Sequence, residues 1–183
     1  METSTTNQLF SKDDLKKLII PLLFEQALAI TVGMADTVMI SSAGEAAVSG
    51  VSLIDMFNNL IISVLAALAT GGAVVTSQFL GAGKKEDACK SAKQLIVSSV
   101  CITIGISILV MVFCNGIISL FFGKIEADVF HNAVIYMMIS ALSFPFLALY
   151  NSCAALFRSM GNSKITLKVS VVENIINIGG NAL

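Results

Sequence analysis

The sequence predicts an all-α fold, a polytopic membrane helix bundle of about five transmembrane helices, and three observations predict it. The chain is 56% hydrophobic and only 13% charged, with a mean hydropathy of +0.87, far from the composition of soluble domains of this size. Its apolar residues gather in long runs, most of them reaching the ~20 residues that cross a bilayer as a helix. Between the runs lie short stretches rich in Gly, charge and small polar residues, none of which would fold as a soluble domain.

The first run, Leu18–Ile40, is too long for a signal-peptide core, contains two carboxylates and ends without a small-residue cleavage site, so it is expected to stay as a membrane helix. Residues 1–17 ahead of it read as a cytoplasmic N-terminal segment, and 18–183 as the bundle. GEAA leads to the second run, Ala47–Phe79, and LGAGKKEDACKSAK to the third, Leu95–Leu120. FFGKIEAD leads to the fourth, Val129–Phe157, and RSMGNSK to a fifth from Ile165 onward. The first four are long enough to span. The fifth reaches Leu183 still apolar, without a basic flank or closing turn, and reads as an incomplete unit whose orphan carbonyls call for more chain.

Basic residues fall on alternate connections: Lys12, Lys16 and Lys17, then Lys84, Lys85, Lys90 and Lys93, then Arg158, Lys164 and Lys168. Only Lys124 lies on the other side. The excess of Lys and Arg on cytoplasmic loops therefore places the N-terminus in the cytoplasm.

Several functions are excluded. A net charge of −1 with scattered basic residues gives no nucleic-acid surface. No phosphate-binding loop, HExxH motif or nucleophile–base arrangement is present, so neither an enzyme nor an ATP-driven pump is expected. Cys89, Cys101, Cys114 and Cys153 lack metal-ligand spacing, and the three in apolar runs read as small hydrophobes. No cofactor is expected.

Polar groups inside the apolar runs carry the functional signal. A carboxylate at mid-bilayer costs roughly 2.5 to 3.5 kcal/mol on the insertion scale, so Glu25, Asp36, Asp55 and Glu173 are expected to face a protein interior or a water-filled path. At 100° per residue, Glu25 and Asp36 fall about 20° apart on one face of the first helix. Ser52, Asp55, Asn59, Ser63 and Thr70 fall within about 80° on the second, with Asn58 outside the stripe. Ser170, Glu173, Asn174, Asn177 and Asn181 fall within about 100° on the fifth. The Ser and Thr residues read as interhelical hydrogen-bonding groups.

Asp36 is the strongest functional candidate, either exchanging a proton or, with nearby amide oxygens, coordinating a desolvated sodium ion. Glu25 and Asp55 read equally as cavity groups or as snorkelling side chains near an interface. Asn59, Tyr136, Asn151, Glu173 and Asn174 are further candidates for lining a cavity. Pro145 is expected to kink the fourth helix, Gly33, Gly71 and Gly72 to permit close packing or bending, and His131 to be solvated in or beside an outer loop.

At these residues the sequence resembles the multidrug and toxic compound extrusion (MATE) family, especially its bacterial members. The resemblance is carried by PLLFEQALAITVGMADTVMIS, GEAAVSGVSL, VVTSQFLGAGKKEDA and ALFRSMGNSK, and runs almost end to end. It implies twelve helices in two pseudosymmetric six-helix lobes, of which this chain matches the first lobe without its last helix and without the second lobe. It also implies a bacterial plasma-membrane antiporter, in which Asp36 couples entry of H+ or Na+ to export of organic cations, drugs or toxins. Many members have Asn followed four positions later by Asp in the fifth helix. This chain has Asn177 and Asn181, which removes one charge from the implied cation site of Asp36, Asn177 and Asn181.

Two alternatives stand beside this reading. One is a lipid-linked saccharide flippase of the same superfamily, whose anionic substrate would favour cationic cavity groups, whereas the stripes here are acidic and amide-rich. The other is a truncated, non-transporting membrane protein. Expected partners are small organic cations, lipids, and either the missing lobe or a second copy in a homodimer.

Overall fold

A computed structural model describes residues 12–181 of the chain, with the side chains of Asp14 and Asn181 outside that description. Five helices follow one another: α1 Lys12–Ser41, α2 Glu45–Gly81, α3 Lys85–Phe122, α4 Ala127–Ser159 and α5 Ser163–Asn181. The described residues contain no strand. All five expected helices are present, and the differences lie at their ends. α3 begins at Lys85, so most of the stretch expected as a loop is helical. Its Lys, Glu and Ala residues are good helix formers, and Glu86 and Asp87 in the first turn complement the helix dipole. α1 likewise begins at Lys12, inside the segment set apart as residues 1–17; residues 1–11 lie outside the described chain.

Four of these helices, α1 to α4, are long and apolar enough to cross a membrane. α2 and α3 run to 37 and 38 residues, about 55 Å at the rise of an α-helix, well beyond the ~30 Å of a hydrocarbon core. Their charged ends therefore reach past the apolar layer. The turns at Gly83 and Gly161 close α2 and α4 in the same way: the Lys84 and Asn162 amides reach back to Phe79 and Phe157, and the Gly83 and Gly161 amides to Leu80 and Arg158. This double bond pattern needs a left-handed residue, and Gly83 (φ +75°) and Gly161 (φ +79°) supply it.

α4 is the spine. Ala133, Met137, Ala141, Phe144, Ala148 and Ser152 recur every three or four residues and are all buried. Lipid provides no hydrophobic drive between helices, so small residues on this stripe let α2 and α3 approach closely enough for dispersion to hold them. Ile54 of α2 and Val110, Cys114 and Ile118 of α3 fill the resulting core. Ser107 donates to the Ala141 carbonyl at 2.7 Å, tying α3 to α4. The backbone of α3 leaves helical geometry at Phe113 (φ −103°, ψ 16°), while α4 runs unbroken through Pro145. The backbone break thus lies in the neighbouring helix, and α4 stays one continuous helix across Pro145.

α1 packs chiefly on α5. This pair meets the α2–α3–α4 unit through thinner α1–α2 and α4–α5 contacts, leaving a seam between the two groups of helices. The outward faces carry Leu23, Phe24, Leu120, Phe146 and many other exposed apolar side chains, as lipid requires.

Gly50 of α2 lies directly against the backbone of α4. A Cβ there would stand 2.9 Å from the Val129 carbonyl oxygen and 3.0 Å from the Ala133 amide nitrogen, both backbone atoms that cannot swing aside. Gly50→Ala is therefore expected to destabilise the bundle by about 1–3 kcal/mol. Gly116→Ala, where a Cβ meets nothing within 4 Å, should lose little; thermal unfolding of both variants in detergent checks the contrast.

Candidate functional site

A cavity of about 470 Å³ opens in the seam, lined by Gly33, Asp36 and Thr37 of α1, Val51, Ser52 and Asp55 of α2, Tyr136 of α4 and Asn177 of α5. Four helices thus each place a polar side chain on one space. The helical period explains the convergence: Ser52 and Asp55 lie three apart on α2, and Asp36 is on the α1 face that also carries Glu25.

Asp55 is held there. The Tyr136 hydroxyl donates to Asp55 Oδ1 at 2.8 Å, a hydrogen bond strengthened by the charge on its acceptor. Of the two readings of Asp55, snorkelling and cavity-lining, the structure has the second. Tyr136 also lies within electrostatic range of Asp36. Asp55 and Tyr136 further wall a neighbouring space of about 220 Å³ with Asn58, Asn59, Ser140 and Ser143. Asn59 donates its amide to the Asp55 backbone carbonyl at 2.8 Å, and Ser63 to the Asn59 carbonyl at 2.7 Å, so much of the α2 stripe is satisfied within its own helix.

Other sequence-derived candidates lie elsewhere. Glu25 is buried on the same face of α1 but pairs with Arg158 Nη1 at 3.3 Å, outside this cavity. Glu173 lines a shallow, mostly apolar groove of about 410 Å³ between α4 and α5, beside Phe146, Tyr150 and Val172. Asn174 donates to Ser170 Oγ at 3.4 Å, and Asn151 to the Leu147 carbonyl one turn back in its own helix. Of the expected trio, Asp36 and Asn177 share the cavity, while the Asn181 side chain lies outside the described residues. His131 is exposed, in the second turn of α4 beside the α3–α4 connection rather than in a loop.

Two residues escaped the sequence reading. Asn58, off the α2 stripe, is buried and donates to Ser140 Oγ of α4 at 3.1 Å. Its position was itself the signal, since an amide off the polar stripe still has to face a helix rather than lipid. Arg158 reads in the sequence only as a topology marker, yet its long side chain reaches from the last turn of α4 to Glu25 of α1.

The cavity presents hard oxygen donors. Among the described residues its lining carries two carboxylates and no basic side chain, and no group of three or more His, Cys, Asp or Glu gathers for a transition metal. Such a lining suits a proton, a small hard cation or an organic ammonium group, and repels anions.

The Tyr136–Asp55 bond is expected to behave as a coupled pair. Tyr136→Phe and Asp55→Asn should each destabilise the bundle, while the double variant should show a coupling of about 1 kcal/mol or more in a double-mutant cycle read by thermal unfolding. Strict additivity would mean that the bond contributes nothing.

Comparison with known proteins agrees with this architecture. The MatE family model matches residues 21–183. YisQ of Bacillus subtilis, described as an uncharacterized transporter, is 32% identical over 161 residues, covering 88% of this chain and 35% of its own length. The probable multidrug resistance protein NorM of Thermotoga maritima is 25% identical over 172 residues, covering 91% of this chain and 36% of its own. The chain thus spans about a third of the length of these relatives. Among solved structures, a MOP superfamily transporter from Pyrococcus furiosus Vc1 superposes with a TM-score of 0.83 at 20% identity, over 92% of this chain and 37% of that one. With a family match across nearly all of its helical residues, the chain belongs to the MatE family of membrane transporters.

Proposed function

We propose that this chain forms the ion-coupling lobe of a secondary antiporter that exports organic cations, drugs or toxins in exchange for H+ or Na+. The observation that carries the reading is the seam cavity, where Asp36, Asp55, Tyr136 and Asn177 converge from four helices with no basic side chain in the lining among the described residues. The name of the Thermotoga relative, a multidrug resistance protein, supports organic cations as the substrate class. The acidic lining disfavours the flippase alternative, whose anionic cargo calls for cationic partners. The greater length of the relatives supports a two-lobe pathway, with a second bundle supplied by further chain or by a second copy.

In this scheme the Asp36 carboxylate takes the coupling ion. A proton neutralises it directly. Sodium would be held by oxygens of Asp36 and Asn177, both on the cavity wall. Either event changes the charge between the α1/α5 pair and the α2–α3–α4 unit, and so biases which arrangement of the two groups is favoured. An organic cation competes for the same negative space, so ion and substrate exclude one another, which is the requirement for exchange. No covalent step is involved.

Asp36→Asn is nearly isosteric and leaves insertion unaffected, so it is expected to retain membrane abundance and lose ion-coupled efflux of an ethidium-like dye from cells or proteoliposomes. The measurement uses the protein at its natural length. Normal coupled efflux by that variant would remove Asp36 from the mechanism. Envelope-polymer defects without a drug phenotype in a deletion strain would favour the flippase instead.

A further inference from the structure

Asn58 lines the chamber of about 220 Å³ between α2 and α4, and it carries an oxygen with nothing to bind. The side chain is buried, at 9% exposure. Its amide nitrogen donates to Ser140 Oγ at 3.1 Å, which fixes the group in place, whereas Oδ1 is enclosed from water and has no hydrogen-bond partner among the described residues. A buried amide oxygen is normally satisfied, because an orphaned one forfeits its hydration. Such an orphan in the wall of a polar space points to a ligand.

The rest of the wall has the same bias. Tyr136 donates to Asp55 Oδ1 at 2.8 Å, and Ser140 hydrogen-bonds Tyr136 one turn back on α4. Asn59 gives its amide to the Asp55 backbone carbonyl, and Ser143 its hydroxyl to the Ser140 carbonyl. Each of these groups spends a donor within the protein. The valences left over belong to oxygens: Asn58 Oδ1, the Asp55 carboxylate, and lone pairs of the Ser140 and Tyr136 hydroxyls. Helical spacing brings them together, since Asp55 and Asn58 are three apart on α2 and Tyr136 and Ser140 four apart on α4.

Charge and size narrow the ligand. Asp55 is the one carboxylate in the chamber wall, and no basic side chain lines it among the described residues, so a single positive charge balances it. Calcium gathers more charged oxygens, magnesium keeps an octahedral water shell, and transition metals favour His or Cys, neither of which lines this space among the described residues. An amide oxygen takes up no proton at ordinary pH. An oxygen closed to water is within reach only of an ion smaller than water, which sodium is and potassium is not. The rest of the chamber leaves room for waters to complete the shell of such an ion.

We infer that Asp55, Asn58 and Ser140 form a sodium site between α2 and α4, with the Tyr136 hydroxyl at its edge. Asp55 supplies the charge, Asn58 Oδ1 and Ser140 Oγ supply neutral oxygens, and water supplies the rest. The ion ties α2 to α4 in a space that shares only Asp55 and Tyr136 with the Asp36 cavity. Neither Asp36 nor Asn177 lines that space. The inference therefore goes beyond the antiport reading and stands whether or not Asp36 is the coupling residue.

Hydrogen–deuterium exchange of the natural-length protein in nanodiscs tests this, with sodium chloride replacing potassium chloride at constant ionic strength. In the wild type, the stretches 52–62 of α2 and 133–143 of α4 should gain protection saturably with sodium. Their exchange should slow about tenfold at a sodium concentration ten times the dissociation constant. Asn58→Leu is close in size and removes the orphan oxygen, so it should lose the sodium response, whereas Asp36→Asn should keep it. A wild type indifferent to the exchange of potassium for sodium, or an Asn58→Leu variant with the wild-type response, would overturn the site. Loss of the response in Asp36→Asn would also overturn it and assign the ion to the Asp36 cavity. Should Asn58→Leu lose protection throughout the α3–α4 core, Ser140→Ala decides: the sodium midpoint should rise about fivefold for one lost neutral ligand, and an unmoved midpoint overturns the site. None of these readouts measures transport, so failure here and failure of the Asp36 reading are separate results.

Discussion

Hydrocarbon solvates neither a backbone amide nor a charge, and the rest of this structure depends on that constraint. It forces each run to satisfy its peptide groups internally, hence five helices and no strand among the described residues. It sends polar side chains either back onto their own helix, as Thr31, Thr37, Ser63 and Thr70 do to the carbonyl four residues earlier, or inward to another helix. It also turns each carboxylate within an apolar run into a statement about what faces it. Glu25 has Arg158, and Asp55 has Tyr136.

The same constraint explains why the bundle is divided. Small residues on α4 allow backbone-close packing with α2 and α3, and that unit is dense because dispersion is the main attraction left when both helix and lipid are apolar. α1 meets that unit differently. Its face toward the rest of the chain carries Glu25, paired with Arg158, and Asp36, which lines the cavity. Small apolar residues thus close one interface, and polar side chains line the other.

Much of this was legible in the sequence. Helix number, approximate spans and the inward direction of Asp36 and Asp55 follow from hydropathy and a 100° period, because lipid penalises the alternatives so heavily. Helix ends were less legible. The amphipathic start of α3 at Lys85 projects beyond the apolar layer, where hydropathy loses contrast and propensity decides. The site was legible as a set of faces but not as a set of partners. Period places Glu25 and Asp36 on one stripe, yet which residue of α4 meets each depends on the tilt and register between helices. Arg158 was hidden by a second cause: a long side chain whose charge marks topology also reaches back into the bundle. Asn58 was set aside for missing the stripe, when α2 in fact presents polar groups to two neighbours.

α1 gives the Asp36 cavity and the Glu25–Arg158 pair a common element. It is one continuous helix from Lys12 to Ser41, with Asp36 toward one end and Glu25 nearer the other, and Pro21 one turn before Glu25. A proline inside a helix removes a backbone bond and weakens that turn, so the stretch beyond it is able to tilt as a unit against its neighbours. In the proposed scheme, charge at Asp36 sets how α1 lies on the α2–α4 surface, and the Glu25–Arg158 pair holds the same helix to α4 nearer its other end. Two contacts that bias one element are coupled without any chain of contacts between them, and the coupling is reciprocal. An ion at the Asp36 cavity that shifts α1 thereby acts on the Glu25–Arg158 pair, and loss of that pair acts back on ion affinity at Asp36.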